Sequence, residues 1–327
     1  MPTNITRAVT RRSSVETVLI AGVESIVGAN LAAGLADSCR VVGLSTSEPI
    51  GIEGCETAIC SGTNLDTTYE WVGSTSPDRI VYCGPAAHSA WEPNAAQRIR
   101  SGLDRAARNW ALAAEEHGWG LTMISSDAVF TGPWMFHEED SECHCPTDTA
   151  AAIRATEREV CRLCPSTLIV RTNAFGWSPL GSQRGWIERI ISQLETGSAG
   201  PFDCLRYATP LHATHLVEIL EKAWTEEIKG IYHVAGSERV NPTRFFAQIA
   251  DEFDLPLLRT PPVGSVEERP TGFGRGETSM QTRTVRKALC VAMPTLAEGL
   301  AQLREEAENG HRERLTSPAL PLQDKVA

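Results

Sequence analysis

Short unbroken apolar runs alternate along the chain with stretches whose apolar residues recur every three or four positions. "TVLIAG" (17–22), "RVVGLS" (40–45), "RIVYCG" (79–84), "LTMISS" (121–126) and "TLIVRT" (167–172) are of the first kind. "GANLAAGLAD" (28–37), a long pattern within 94–117 and another over 149–162 are of the second. Strands that are apolar on both faces and separated by helices predict a parallel sheet with both sides covered. The fold class is therefore α/β, a doubly wound, Rossmann-like sheet.

After Thr172 the rhythm changes. "NAFGWSPLGSQRG" (173–185) is a Gly/Ser/Pro-rich loop, an amphipathic helix is expected around 186–196, and "GIYHVAG" (230–236) supplies one more sheet strand. Helices dominate beyond it. The expected division is a Rossmann domain over 16–175 plus about 211–235, and a smaller, discontinuous, mainly helical C-terminal domain over about 176–210 and 236–307. Residues 1–15 and 308–327 are expected to be disordered tails.

A formal net charge of −11, spread along helix faces, argues against nucleic acid or an anionic membrane as the main partner. No apolar run reaches the ~20 residues of a membrane span. The ten cysteines include "CHC" (143–145) and "CRLC" (161–164). The helix expected between them holds the two groups about 20 Å apart, too far for ligands of one zinc ion. No metal site is expected, and the thiols read as buried and reduced in a cytoplasmic protein.

The first strand runs into "GVESIVG" (22–28). A dinucleotide-binding turn needs glycines here for a tight bend and for close approach of a pyrophosphate to the helix N-terminus. Gly22 and Gly28 hold the outer positions, Ser25 stands at the middle one, and Ile26 and Val27 begin the helix. At the end of the second strand, where an acid would bind ribose hydroxyls, the chain offers Ser45 and Thr46. The missing acid favours NADP and the missing arginine withholds it, so the expected cofactor is NADP or NAD.

"ISSDAVFTG" (124–132) carries a family pattern, with Ser125, Ser126, Asp127, Val129, Phe130 and Gly132 in order. "RTNAFGW" (171–177), "RYATPLHATHLVEIL" (206–220) and "GIYHVAGSERVNPTRFF" (230–246) follow at fitting intervals. Over residues 17–305 the chain resembles the extended short-chain dehydrogenases/reductases (extended SDR), in their dTDP-4-dehydrorhamnose reductase group of sugar-nucleotide reductases.

The resemblance implies an NAD(P) site to which Ser125 and Arg154 also belong, and a nucleotide-sugar site near Asp127, Phe130 and Arg206. It implies Ser126 as the hydroxyl that polarises a carbonyl. It also implies a Tyr serving as acid, a Lys four residues later, and an Asn on the preceding helix. Here the Tyr and Lys positions fall at or near Ala150 and Arg154, and no Asn stands around Ser101 to Leu103. The four lysines, 222, 229, 287 and 325, are preceded four residues earlier by Glu218, Thr225, Arg283 and Pro321. No Tyr-x-x-x-Lys exists anywhere in the chain. Two readings follow: a weakly active or non-catalytic binding protein, or a 4-keto-6-deoxy sugar nucleotide reductase with a relocated acid such as His88. The group includes a regulatory, partner-binding subunit, so a protein partner or a homodimer is also implied.

Overall fold

Strand β1, Thr17–Ala21, is buried at every position, as a strand with a layer on each face must be. The computed structural model describes residues 15–99, 102–179, 185–197, 205–256 and 272–318. After β1 come α1 (Ile26–Leu35), β2 (Arg40–Ser45), β3 (Glu56–Ile59), α2 (Leu65–Thr75) and β4 (Arg79–Tyr82). The chain continues through α3 (Ala95–Arg98), α4 (Arg105–His117), β5 (Gly120–Ser126), α5 (Asp148–Leu163) and β6 (Leu168–Thr172). Then follow β7 (Ala174–Phe175), α6 (Trp186–Glu195), β8 (Leu211–His212), α7 (Ala213–Thr225) and β9 (Gly230–His233). Helices α8 (Pro242–Glu252), α9 (Arg283–Leu289), α10 (Leu296–Glu308) and α11 (His311–Arg314) complete it.

The sheet runs β3-β2-β1-β4-β5-β6-β9 with every pair parallel. Helices α1 and α7 pack on one face and α2, α4 and α5 on the other. The strand order reverses between β1 and β4, which opens a crevice at their carboxyl ends.

Beyond the sheet, β7 and β8 form a two-residue parallel ladder. Phe245 of α8 lies at its back, with ring centroids 5.1 Å from Phe175, 5.8 Å from Trp186 and 5.5 Å from Trp91. Trp91 belongs to the loop after β4, so one aromatic cluster joins the sheet's crevice to the smaller helical part.

Two expectations change, and two elements are added. The long helix within 94–117 is two helices, because Gly102 adopts φ +93° and Asp104 caps α4 by accepting from Ala106 N and Ala107 N. The edge strand β3 and helix α2 carry too few buried residues to show a sheet-core pattern. Residues 308–318 are not a tail: Leu315 is fully buried, Arg314 donates to Ala33 O and Asp37, and His311 Nε2 lies 2.8 Å from Asn30 Oδ1. Residues 1–14 and 319–327 of the expected tails lie outside the described residues.

Candidate functional site

Gly22 follows β1 at φ +106°, and a Cβ there would stand 2.0 Å from Cys83 O. Only glycine lets the turn pass so close to the end of β4. A Cβ on Gly28 would stand 2.2 Å from Gly22 O, so the second glycine lets helix α1 start tight against the turn. Between them Ser25 is fully buried; its Oγ donates to Gly22 O at 2.7 Å and accepts from Gly28 N at 3.0 Å. The serine at the middle position of the turn is folded inward as the N-cap of α1. The amides of Ile26 and Val27 open the helix, where no preceding turn supplies acceptors.

This turn walls a cleft of about 280 Å³, lined also by Ser45, Thr46, Tyr82, Gly84 and His88. A larger cavity of about 660 Å³ adjoins it, sharing Thr46, Ser61, Tyr82, Pro85 and Arg98. Tyr82 donates to Asp104 Oδ2 at 2.6 Å, and burial, with Asp104 beside it, pushes its hydroxyl well above the usual phenol range. His88 Nδ1 lies 3.2 Å from Glu92 Oε2.

The acid sought at the end of β2 arrives from the glycine turn. Glu24 Oε1 accepts from Thr46 N at 3.1 Å and from Thr46 Oγ1 at 2.6 Å, and Glu24 lines the cleft. Its other oxygen is buried without a hydrogen-bond partner. In the sequence this acid stands immediately before Ser25, in the turn after β1 and not at the end of β2.

Helix α5 is held in one rotational setting by Glu157. Its carboxylate accepts from Arg171 of β6 at 2.7 and 3.0 Å and from Ser125 Oγ of β5 at 2.6 Å. Ser125 is thereby engaged in the core. One turn before Glu157 on the same face stands Ile153, which lines the larger cavity with Ala152 and Thr156. One turn earlier still is Thr149. Arg154 points elsewhere, donating to Val129 O at 3.3 Å and Cys145 O at 3.2 Å. Ala150 is fully buried, its amide donating to the capping Thr147. The expected pair Ala150/Arg154 therefore lies one residue off the cavity-facing line, about 100° around the helix.

The segment after β5 also turns inward. Ser126 Oγ caps the 3-10 turn Asp127–Val129 by accepting from Ala128 N at 3.1 Å. Asp127 is buried and accepts from Asn173 Nδ2 at 2.9 Å and Thr278 Oγ1 at 2.7 Å, and Ser89 Oγ donates to Asn173 at 2.6 Å. Burial pushes the Asp127 carboxyl up to about 6, against the lowering effect of those hydrogen bonds. Phe130 is fully buried, stacked on His137 at 4.7 Å with the Arg171 guanidinium over its ring. Ser126, Asp127 and Phe130 are thus buried and are not among the residues lining either cavity. Arg206 donates to Ala90 O, in the loop after β4, at 3.4 Å and lines neither cavity.

No curated protein sequence matches the chain. Among solved structures it is similar to a dTDP-4-dehydrorhamnose reductase from Bacillus anthracis in complex with NADP. The two are 21% identical over 90% of this chain and 100% of that one, with TM-score 0.74. A hypothetical dTDP-4-dehydrorhamnose reductase from Sulfolobus tokodaii is 21% identical over 86% of this chain and 98% of its own, at TM-score 0.68. The Bordetella bronchiseptica enzyme WbmG, in complex with NAD and UDP, is 15% identical over 94% and 100%, at TM-score 0.70. At these identities the likeness is one of fold. The family assignment comes from the sequence: the RmlD substrate binding domain matches residues 16–309, nearly the whole chain, and the protein belongs to that family.

Proposed function

We propose that this protein binds NAD(P) and a nucleotide sugar in the manner of the dTDP-4-dehydrorhamnose reductases, with turnover weak or absent. The observation that carries the reading is the face of α5 that lines the larger cavity, Ala152, Ile153 and Thr156. A Tyr/Lys pair one turn apart on that line would occupy Thr149 and Ile153, and neither residue can do its work.

The residues present fit a dinucleotide. The bend at Gly22, the start of α1 at Ile26 and Val27, and the unpartnered Glu24 oxygen together offer a pyrophosphate cradle and a ribose acceptor. Bound nicotinamide dinucleotide supplies a hydride for carbonyl reduction. The alkoxide so formed needs a proton, and positioned acid help is worth about 10²–10⁴-fold. Isoleucine gives none, and an arginine in the place of Arg154 stays protonated throughout. Substrate binding falls to the region that Arg206 reaches, where a guanidinium suits phosphate oxygens. Residues around the two cavities are thereby assigned to holding ligands and not to moving protons.

The solved relatives support the ligand classes, one holding NADP and another NAD with UDP. Among the described residues no helix is long and apolar enough to cross a membrane, and the protein is read as cytoplasmic. A protein partner or a second copy belongs to the same reading, since a retained pocket without an acid suits regulation.

Calorimetric titration with NADH, NADPH and dTDP- and UDP-sugars, paired with a turnover assay on a 4-keto-6-deoxy sugar nucleotide, tests this. Binding of both ligand classes with little turnover is expected; no dinucleotide binding overturns it. His88, which lines the smaller cleft, favours the second reading of an active reductase with a relocated acid. Brisk turnover that collapses on His88→Ala would establish it.

A further inference from the structure

We infer that Glu24 is the ribose anchor of the cleft and makes this protein select NAD over NADP. The inference rests on the dinucleotide reading above and adds the choice between its two forms.

A carboxylate at the ribose end of such a site accepts from the 2′- and 3′-hydroxyls and repels a 2′-phosphate. In this chain strand β2 ends in Ser45 and Thr46, so the acid does not come from the strand. Glu24 replaces it from the other side. Its Oε1 is held by Thr46 N and Thr46 Oγ1, which fixes the carboxylate against the end of β2. That grip leaves Oε2 buried with no hydrogen-bond partner beside the cleft that Glu24 lines. A carboxylate oxygen without a donor is costly; Oε2 is closed from solvent as it stands, and a small turn of the carboxylate toward the cleft gives it a ribose hydroxyl as donor.

The other charges around the cleft agree. Glu48 lines it as well. The cation lining it, Arg98, is already engaged: its Nη1 donates to Glu92 Oε2 at 2.7 Å and also meets His88 Nδ1. A 2′-phosphate would meet a fixed carboxylate, while the guanidinium that lines the cleft is bound to another acid. A 2′-hydroxyl meets an acceptor.

The test is a set of binding titrations of the full chain with NAD⁺ and NADP⁺, followed by calorimetry, on the parent protein and on Glu24→Gln. The parent is expected to bind NAD⁺ at least about tenfold more tightly than NADP⁺, the scale of one charge-assisted hydrogen bond. In Glu24→Gln the NAD⁺ affinity should fall and the preference should shrink by about the same factor. Gln keeps the shape and can still accept from Thr46, and the parent's own ratio needs no variant. A parent that binds NADP⁺ as well as NAD⁺ or better overturns the inference while leaving the dinucleotide reading intact. An unchanged ratio in Glu24→Gln does the same. A parent that binds neither overturns both.

Discussion

Glu157 and Arg171 meet inside the protein at 2.7 and 3.0 Å, with side chains 1% and 6% exposed. The pair ties α5 to β6, and through Ser125 to β5, so it sets which residues of α5 look into the larger cavity. A helix turned by one residue would bring Arg154 there in place of Ile153. The pair is the reason that it does not.

Breaking that pair should be severe. Glu157→Gln leaves the Arg171 guanidinium buried without a counter-charge, and the expected loss is about 3–5 kcal/mol. Urea unfolding of the variant measures it. Glu157→Leu combined with Arg171→Met should lose less than Glu157→Gln, because no unpaired charge remains; a larger loss would mean that the stranded charge is not what makes Glu157→Gln costly.

The phase of α5 predicts where catalysis can be rebuilt. Thr149→Tyr with Ile153→Lys should raise turnover on a 4-keto sugar nucleotide by at least ~10²-fold over the parent. Ala150→Tyr with Arg154→Lys should not, since those positions face the core and the Val129 and Cys145 carbonyls. Cofactor affinity must be measured beside rate in each variant, so that a binding defect is not read as a chemical one. Rescue by the second pair and not the first would reverse the assignment.

Gly28→Ala tests the turn. The added Cβ would lie 2.2 Å from Gly22 O and 3.0 Å from Ser25 Oγ, so the bend must open. Dinucleotide binding should be lost, with a stability cost of about 1–3 kcal/mol from overpacking. Unaltered NAD⁺ titration in a folded Gly28→Ala protein would place the cofactor elsewhere.

Acid should destabilise the fold from near pH 6.5 downward. Burial, with the Arg171 guanidinium beside it, pushes His233 down to about 3. His137, His144, His215 and His311 are lowered too, each chiefly by burial. A histidine lowered on folding binds its proton more readily when unfolded, so its contribution is complete above 6.5 and lost as pH falls toward its folded value. Asp127 acts oppositely: raised to about 6, it costs stability as pH rises from about 4 to 6. His233→Gln should therefore reduce the stability lost between pH 7 and 5 by about 1–2 kcal/mol. Denaturant midpoints at the two pH values decide it; an equal loss in variant and parent would show that His233 titrates normally.

Much of this protein was legible without a fold. Apolar runs placed β1, β2, β4, β5 and β6 because strands buried on both faces leave no polar alternation to blur them. The glycine spacing located the turn, and the absence of Tyr-x-x-x-Lys was certain from the sequence alone because it requires no alignment. Only the tertiary structure decided what the side chains face. Rotational phase is invisible in an alanine-rich helix such as α5, and it was fixed by a partner, Arg171, fourteen residues away on another strand. The end of β2 carries no acid in sequence, yet in space Glu24 from the neighbouring turn meets Thr46 there. Ser126, Asp127 and Phe130 matched a pattern in order, but a 3-10 turn directed them inward, where hydrogen bonds and ring contacts across distant segments hold them. Local spacing specifies elements; burial and long-range partners choose which of their faces can act.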